Sequence, residues 1–294
     1  MDVNNHIKSL SKGAREVLDQ PLEERIRKCK EQVWIPYPRA NEILEELVNL
    51  FDYPKKDRMP NLLITGGTNN GKTAILNRFY SMYPDHTTTT CNVIPIIHFS
   101  APISPSQNAL YEKILDFLRV PYGINDSASR KEAQVLSVLK NIETKVIVID
   151  EFNDIYHGGV REQGKFLTAV KQLGTNLQIP IIAAGIPDVQ RTLSVDAQTA
   201  NRFETMALPK WKIDKDFARL VVSFEKTLPL KEPSNLHKRE MIVKLHELCE
   251  GVLGELETIL QKASIYALKN RKEHISVEML DEISYHSPRS RRRQ

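Results

Sequence analysis

Gly66-Gly67-Thr68-Asn69-Asn70-Gly71-Lys72-Thr73 fits the pattern G-x-x-x-x-G-K-[ST]. Its glycines let the backbone curl until successive N–H groups point at phosphate oxygens. The candidate phosphate ligands are Gly66, Thr68, Asn69, Asn70, Gly71, Lys72, Thr73 and Ala74. A helix opening near Lys72 adds its positive end to the same place. The Lys72 ammonium is expected to reach the outer phosphates, and the Thr73 hydroxyl to hold Mg²⁺. A partner site is expected at Lys145-Val146-Ile147-Val148-Ile149-Asp150-Glu151. Four apolar residues there make a central strand, and its carboxylates emerge at the C-terminal end, where open α/β sheets bind ligands. Asp150 suits Mg²⁺ held through water. Glu151 suits a general base that polarises the attacking water. The guanine tetrapeptide Asn-Lys-x-Asp does not occur, so the expected nucleotide is ATP.

Those residues need a scaffold that alternates strands with helices. Leu62 to Thr65, Val93 to Phe99, Lys145 to Ile149 and Ile179 to Ala184 are apolar runs that read as buried strands, with Thr205 to Leu208 a weaker one. Helical periodicity occupies Ala40 to Phe51, Thr73 to Tyr80, Asn108 to Leu118, Ser129 to Asn141 and Gly164 to Leu173. Near-continuous apolar strands between helices imply a parallel sheet covered on both faces. From Leu236 to Tyr285 the patterns are helical throughout. The expected organisation is a helical arm over 1–33, an αβα nucleotide-binding domain over 34–210, a helical lid over 211–285 and a basic tail over 286–294.

The 294 residues are 41% hydrophobic and 27% charged, ordinary for a soluble globular chain. A net charge of +4 permits a nucleic-acid partner without demanding one. The three cysteines, Cys29, Cys91 and Cys249, show no metal-ligand spacing and suit a reducing cytoplasm. No apolar run approaches the ~20 residues of a membrane span, and the N-terminus does not read as a signal peptide.

An ordered set of motifs makes the chain resemble the TniB/TnsC-type AAA+ ATPases of DNA transposition. The set is Ile35-Pro36-Tyr37-Pro38-Arg39-Ala40, Met59-Pro60-Asn61-Leu62-Leu63, Gly66 to Thr73, and Ile149-Asp150-Glu151. It continues with Asp196-Ala197-Gln198-Thr199-Ala200-Asn201-Arg202-Phe203 and Leu208-Pro209-Lys210-Trp211. The resemblance implies a P-loop AAA+ module followed by a small all-helical lid. It implies that Arg202 is an arginine finger, with Arg191 as the competitor, acting on a neighbouring subunit's nucleotide. Ile35 and Tyr37, with Pro38, fall where such proteins place adenine, or else they pack the arm onto the core.

The function so implied is ATP-dependent regulation of transposition. The chain would assemble head to tail on double-stranded target DNA, as a ring or helical filament, and recruit a DDE transposase, with a targeting factor as a possible further partner. Two departures stand out. Gly185-Ile186 puts an isoleucine where a polar sensor residue is expected, leaving Asn153 or Asp188 to substitute, and the lid turn Gly251 to Glu257 carries no arginine. Both predict slow hydrolysis and keep open a nucleotide-dependent scaffold with little turnover. A helicase-loader or replication-initiator ATPase is the other alternative. For DNA contact the sequence offers Ser100 to Gln107, Lys113, Arg130 and the tail Arg289 to Arg293, which equally suits a solvated or partner-binding role.

Overall fold

A computed structural model describes residues 3–89, 92–190 and 202–291. Three short helices come first, α1 (Val3–Ser9), α2 (Lys12–Glu16) and α3 (Leu22–Cys29). Helix α4 (Pro38–Phe51) opens on a proline, whose fixed φ suits a first turn. Its apolar face of Ile43, Leu47, Leu50 and Phe51 is buried. Then come β1 (Asn61–Gly66), α5 (Lys72–Met82), a small hairpin of β2 (His86–Thr87) and β3 (Asn92–Val93), and β4 (Ile96–Ser100). Helices α6 (Gln107–Phe117) and α7 (Ala128–Asn141) lead to β5 (Val146–Asp150). A 3₁₀ turn over Phe152–His157 precedes α8 (Val160–Leu177), β6 (Ile181–Gly185) and β7 (Phe203–Leu208).

The sheet order is β4-β5-β6-β1-β7, and every pairing is parallel. After β1 the chain crosses to the far edge at β4, then returns through β5 and β6. The order reverses at β1, and ligands of such sheets bind beyond the strand ends at this switch point. Side chains on strands β1, β5 and β6 are buried throughout. The expected run from Val93 to Phe99 divides at Pro95. Proline has no N–H for the ladder. Instead its carbonyl accepts from Lys145 N at 2.8 Å and Val146 N at 3.2 Å, which starts β5 beside β4. Helix α8 exceeds its expected span at both ends, running from Val160 to Leu177.

After β7 the chain is helical: α9 (Lys215–Glu225), α10 (Arg239–Cys249), α11 (Leu253–Lys269), α12 (Val277–Glu282) and the short α13 (Pro288–Arg291). Helix α9 lies within the expected lid, ahead of the helical stretch from Leu236, and is capped by Asp214, which accepts from Asp216 N and Phe217 N. The chain divides into two compact units, Met1–Tyr37 with Pro209–Gln294, and Pro38–Leu208. The N-terminal arm thus belongs with the C-terminal helices. Arg25 donates to both Glu273 oxygens, at 2.9 and 2.5 Å, and to Pro229 O. His6 meets Leu230 O at 3.1 Å, and Ser11 N donates to Lys226 O at 2.7 Å.

In this helical unit Trp211 N donates to Gly251 O at 2.8 Å, and His246 Nε2 meets Trp211 O at 2.9 Å. Gly251 adopts φ +71° against the Trp211 backbone, a place only glycine fits without strain. The turn at Gly251 and Trp211 are therefore one packed feature. No described helix is long and apolar enough to cross a membrane.

Candidate functional site

The glycine-rich loop leaves β1 at the switch point and enters α5. Asn69 (φ 59°) and Gly71 (φ 93°) both take left-handed backbone, which makes the sharp curl. Asparagine tolerates that region better than most residues, and glycine adopts it freely. Asn70 is buried, and its side-chain amide donates to Leu208 O at 2.9 Å, tying the loop to the end of β7. Thr68 and Asn69 are exposed, while Gly71 and Ala74 are half-buried. Helix α5 begins at Lys72, so the N–H groups of its first turn point out of the helix end toward the loop.

Lys72 is buried, and its Nζ donates to Gly66 O at 2.9 Å and Gly67 O at 3.0 Å. Burial lowers its pKa, against the attraction of the Glu151 and Asp150 carboxylates. Thr73 Oγ1 donates to Asp150 Oδ2 at 2.7 Å. That bond links the end of β5 with the start of α5 past the small residues Ala183, Ala184 and Gly185 of β6.

Asp150 is 4% exposed. Its Oδ1 accepts from Glu151 N at 2.8 Å, and His98 Nε2 lies 3.9 Å from Oδ2. Burial alone would raise the carboxyl pKa. His98, the Thr73 hydroxyl and the Glu151 N–H together overcome it, so Asp150 stays below the ordinary value of 3.8 and is anionic at neutral pH. Glu151 is exposed and caps the 3₁₀ turn with left-handed backbone (φ 49°), which turns the chain sharply out of the strand. A non-glycine residue held in this region at a strand end is a familiar mark of a functional position.

These residues suit a nucleoside triphosphate with Mg²⁺. The loop offers backbone donors and an ammonium, and Thr73 and Asp150 offer paired oxygen donors of the kind Mg²⁺ takes. Mg²⁺ so bound would neutralise charge on the phosphates.

The other expected residues are held by contacts of their own. Arg202 stands just before β7, where its carbonyl accepts from Asn61 N at 3.0 Å. Its guanidinium donates to Thr175 Oγ1 at 3.1 Å. That is the N-terminal end of the sheet, the end away from Lys72. Ile35 and Tyr37 lie in the helical unit, both buried, with the Tyr37 ring edge-on to Trp211 at 5.0 Å. Burial pushes the Tyr37 phenol up to about 12. Ile186 packs against the apolar core. Arg191, and residues 196–201 of the motif that ends in Phe203, lie outside the described residues.

His98 is the residue that sequence reasoning passed over. It lies on β4 opposite Val148, which makes it the diagonal neighbour of Asp150 on the same sheet face. A lone histidine inside the run Ile96-Ile97-His98-Phe99 was the available signal.

The parallel sheet with its P-loop at the switch point, the acidic end of β5 and the separate helical unit define an AAA+ ATPase. Solved structures agree in fold. Cdc6p from Pyrobaculum aerophilum superposes with a TM-score of 0.60 at 16% identity, covering 84% of this chain and 66% of that one. The Aeropyrum pernix ORC2 protein, in ADPNP-ADP complexes, gives 0.61 at 13%, covering 87% and 70%. Drosophila ORC bound to DNA gives 0.57 at 12%, covering 89% and 64%. The chain thus spans about two thirds of the length of these structures. No curated protein matches it by sequence. Residues 25–213 match the family described as Bacterial TniB protein, and the chain belongs to the TniB family.

Proposed function

We propose that this chain is an ATP-dependent regulator of DNA transposition that assembles head to tail on duplex DNA and recruits a DDE transposase. ATP and Mg²⁺ bind at Gly66 to Ala74 and Asp150. Glu151 polarises the attacking water, and Lys72 holds the outer phosphates. Arg202 of a neighbouring copy completes the site. Membership of the TniB family supports this reading. So do the nucleotide-bound and DNA-bound states of the structures that share the fold.

The observation that carries the assembly is the position of Arg202. It pairs with the first residue of β1, whereas the loop leaves the last. At ~3.3 Å per residue the strand separates the two by about 17 Å, more than an arginine side chain spans. That separation supports a role for Arg202 on another copy's phosphates, away from its own chain's cradle. A repeated head-to-tail contact gives a ring if it closes and a filament if it does not.

The test is subunit mixing. Lys72→Ala and Arg202→Ala chains, each inactive alone, should restore phosphate release when mixed with ATP and duplex DNA. No recovery in the mixture, or an Arg202→Ala chain as active as the native one, sinks the reading. Negative-stain images with duplex DNA and a nonhydrolysable analogue should show rings or filaments.

One observation favours the scaffold reading with little turnover. Ile186 follows β6 where a polar group would face the γ-phosphate, and it packs into the core instead. Phosphate release that stays at background with DNA present, and is unchanged by Glu151→Gln, would decide for the scaffold.

A further inference from the structure

The Arg202 guanidinium is held by a neighbour. Thr175 Oγ1 accepts from it at 3.1 Å and itself donates to Lys171 O at 3.0 Å. A hydroxyl whose single proton is engaged offers only lone pairs, and a guanidinium offers only donors. The contact is therefore directional, and the Lys171 carbonyl fixes which side of the oxygen faces the arginine.

The platform beneath it is rigid. Thr175 lies in the last turn of α8, between the buried Leu173 and Leu177. Ile179 N donates to Gly174 O at 3.2 Å, and Gln178 N to Thr175 O at 3.3 Å. A Cβ on Gly174 would meet Ile181 Cδ1 at 3.2 Å and Ile179 O at 3.3 Å, so this turn lies hard against the start of β6. The arginine's own backbone is paired to β1 through Asn61 N. Both ends of the hydrogen bond thus hang on sheet-anchored backbone. Only the arginine's flexible stem lies between them, and ordering such a side chain costs rotamer freedom.

We propose that Thr175 is a positioning residue for Arg202, holding the guanidinium in one place from which it enters the neighbouring copy's nucleotide site. Pre-ordering the side chain removes part of the cost of insertion when two copies meet. The proposal rests on the reading of Arg202 as a residue that acts in trans.

The test uses the full chain with duplex DNA, comparing Thr175→Val, Thr175→Ser, Arg202→Ala and the Thr175→Val/Arg202→Ala double variant. Thr175→Val keeps the shape and removes the acceptor. It should lower kcat about tenfold, the scale of one lost hydrogen bond to a charged group. KM, and the affinity for a fluorescent ATP analogue, should stay within about twofold, because the nucleotide's own pocket is untouched. Thr175→Ser should recover most of the loss. The double variant should be no worse than Arg202→Ala, since the two side chains act as one unit. An unchanged or raised kcat for Thr175→Val, alongside an inactive Arg202→Ala, overturns the positioning role and leaves the trans-acting arginine standing. A failure of Thr175→Ser to recover activity overturns it as well. An active Arg202→Ala overturns the reading beneath it.

Discussion

Asp150 is the residue on which the candidate site turns. Its carboxylate faces three neighbours from three elements: Thr73 of α5, His98 of β4 and the N–H of Glu151. A cation held by Asp150 and Thr73 would draw on the oxygens that now share a proton. Asp150→Asn should therefore abolish the difference in nucleotide affinity between Mg²⁺ and EDTA buffers, as read by equilibrium titration with a fluorescent ATP analogue. A wild-type difference in that variant would remove Asp150 from the metal site. Glu151 should behave otherwise. It is exposed and lies beyond the strand, so Glu151→Gln should keep the affinity and reduce single-turnover phosphate release at least about a hundredfold, the scale of a lost general base. If binding fell in step with turnover, the residue would be a ligand and not a base.

At the scale of elements, two contacts inside the helical unit give readable signatures. Gly251 leaves no room for a side chain against Trp211. Gly251→Ala should lower the unfolding free energy by about 2 kcal/mol, from the left-handed backbone and the overlap together, measured by urea titration. The Arg25–Glu273 clasp gives a pH signature. Burial alone would raise the Glu273 carboxyl, but hydrogen bonds from Arg25 and from Lys231 N hold it below the ordinary 4.5. A depressed acid contributes stability above its unfolded value and loses it as pH falls through the folded one. The stability difference between the native chain and Glu273→Gln should thus be full at pH 7 and shrink below pH 4.5. A difference that is flat from pH 7 to pH 3 would show the clasp to be idle.

How far the sequence exposed these elements follows from what each depends on. The phosphate loop and the acidic end of β5 were legible because each is a contiguous run bound to a strand end. The central strands were legible because burial on both faces leaves unbroken apolar runs. Helix α9 fell inside the expected helical lid without being delimited. Phe217, Leu220, Val221 and Phe224 follow the helical spacing, but the short stretch stands apart from the longer pattern after Leu236 and its start depends on the Asp214 cap. His98 and Thr175 escaped for another reason. Each matters through a partner more than fifty or twenty-five residues away, Asp150 in one case and Arg202 in the other, and strand register and helix docking decide those meetings. The association of the N-terminal arm with the C-terminal helices is likewise a pairing across the whole chain, carried by Arg25 with Glu273 and His6 with Leu230.

At the scale of the whole molecule, the parallel sheet sets the nucleotide cradle and Arg202 at opposite strand ends. Lys72, Thr73, Asp150 and Glu151 stand at the C-terminal ends of the strands, and Arg202 stands at an N-terminal end. On the proposed function a solitary chain carries a complete nucleotide cradle and an incomplete catalytic site. Its turnover per chain should then depend on protein concentration, rising as copies meet and levelling off once every cradle has a neighbour. Duplex DNA should move that rise to lower concentration, because bound copies are gathered along one strand path and meet at a high effective concentration. Added salt should move it back, since phosphate contacts weaken as counterions compete. Arg202→Ala should flatten the curve at the solitary-chain rate while leaving ATP affinity in place. The measurement is specific phosphate release from nanomolar to micromolar protein, with and without DNA, at two salt concentrations. Turnover per chain that is constant over that range would mean that each chain completes its own site, and the separation of Arg202 from Lys72 would then have to be closed by some other residue of the same chain.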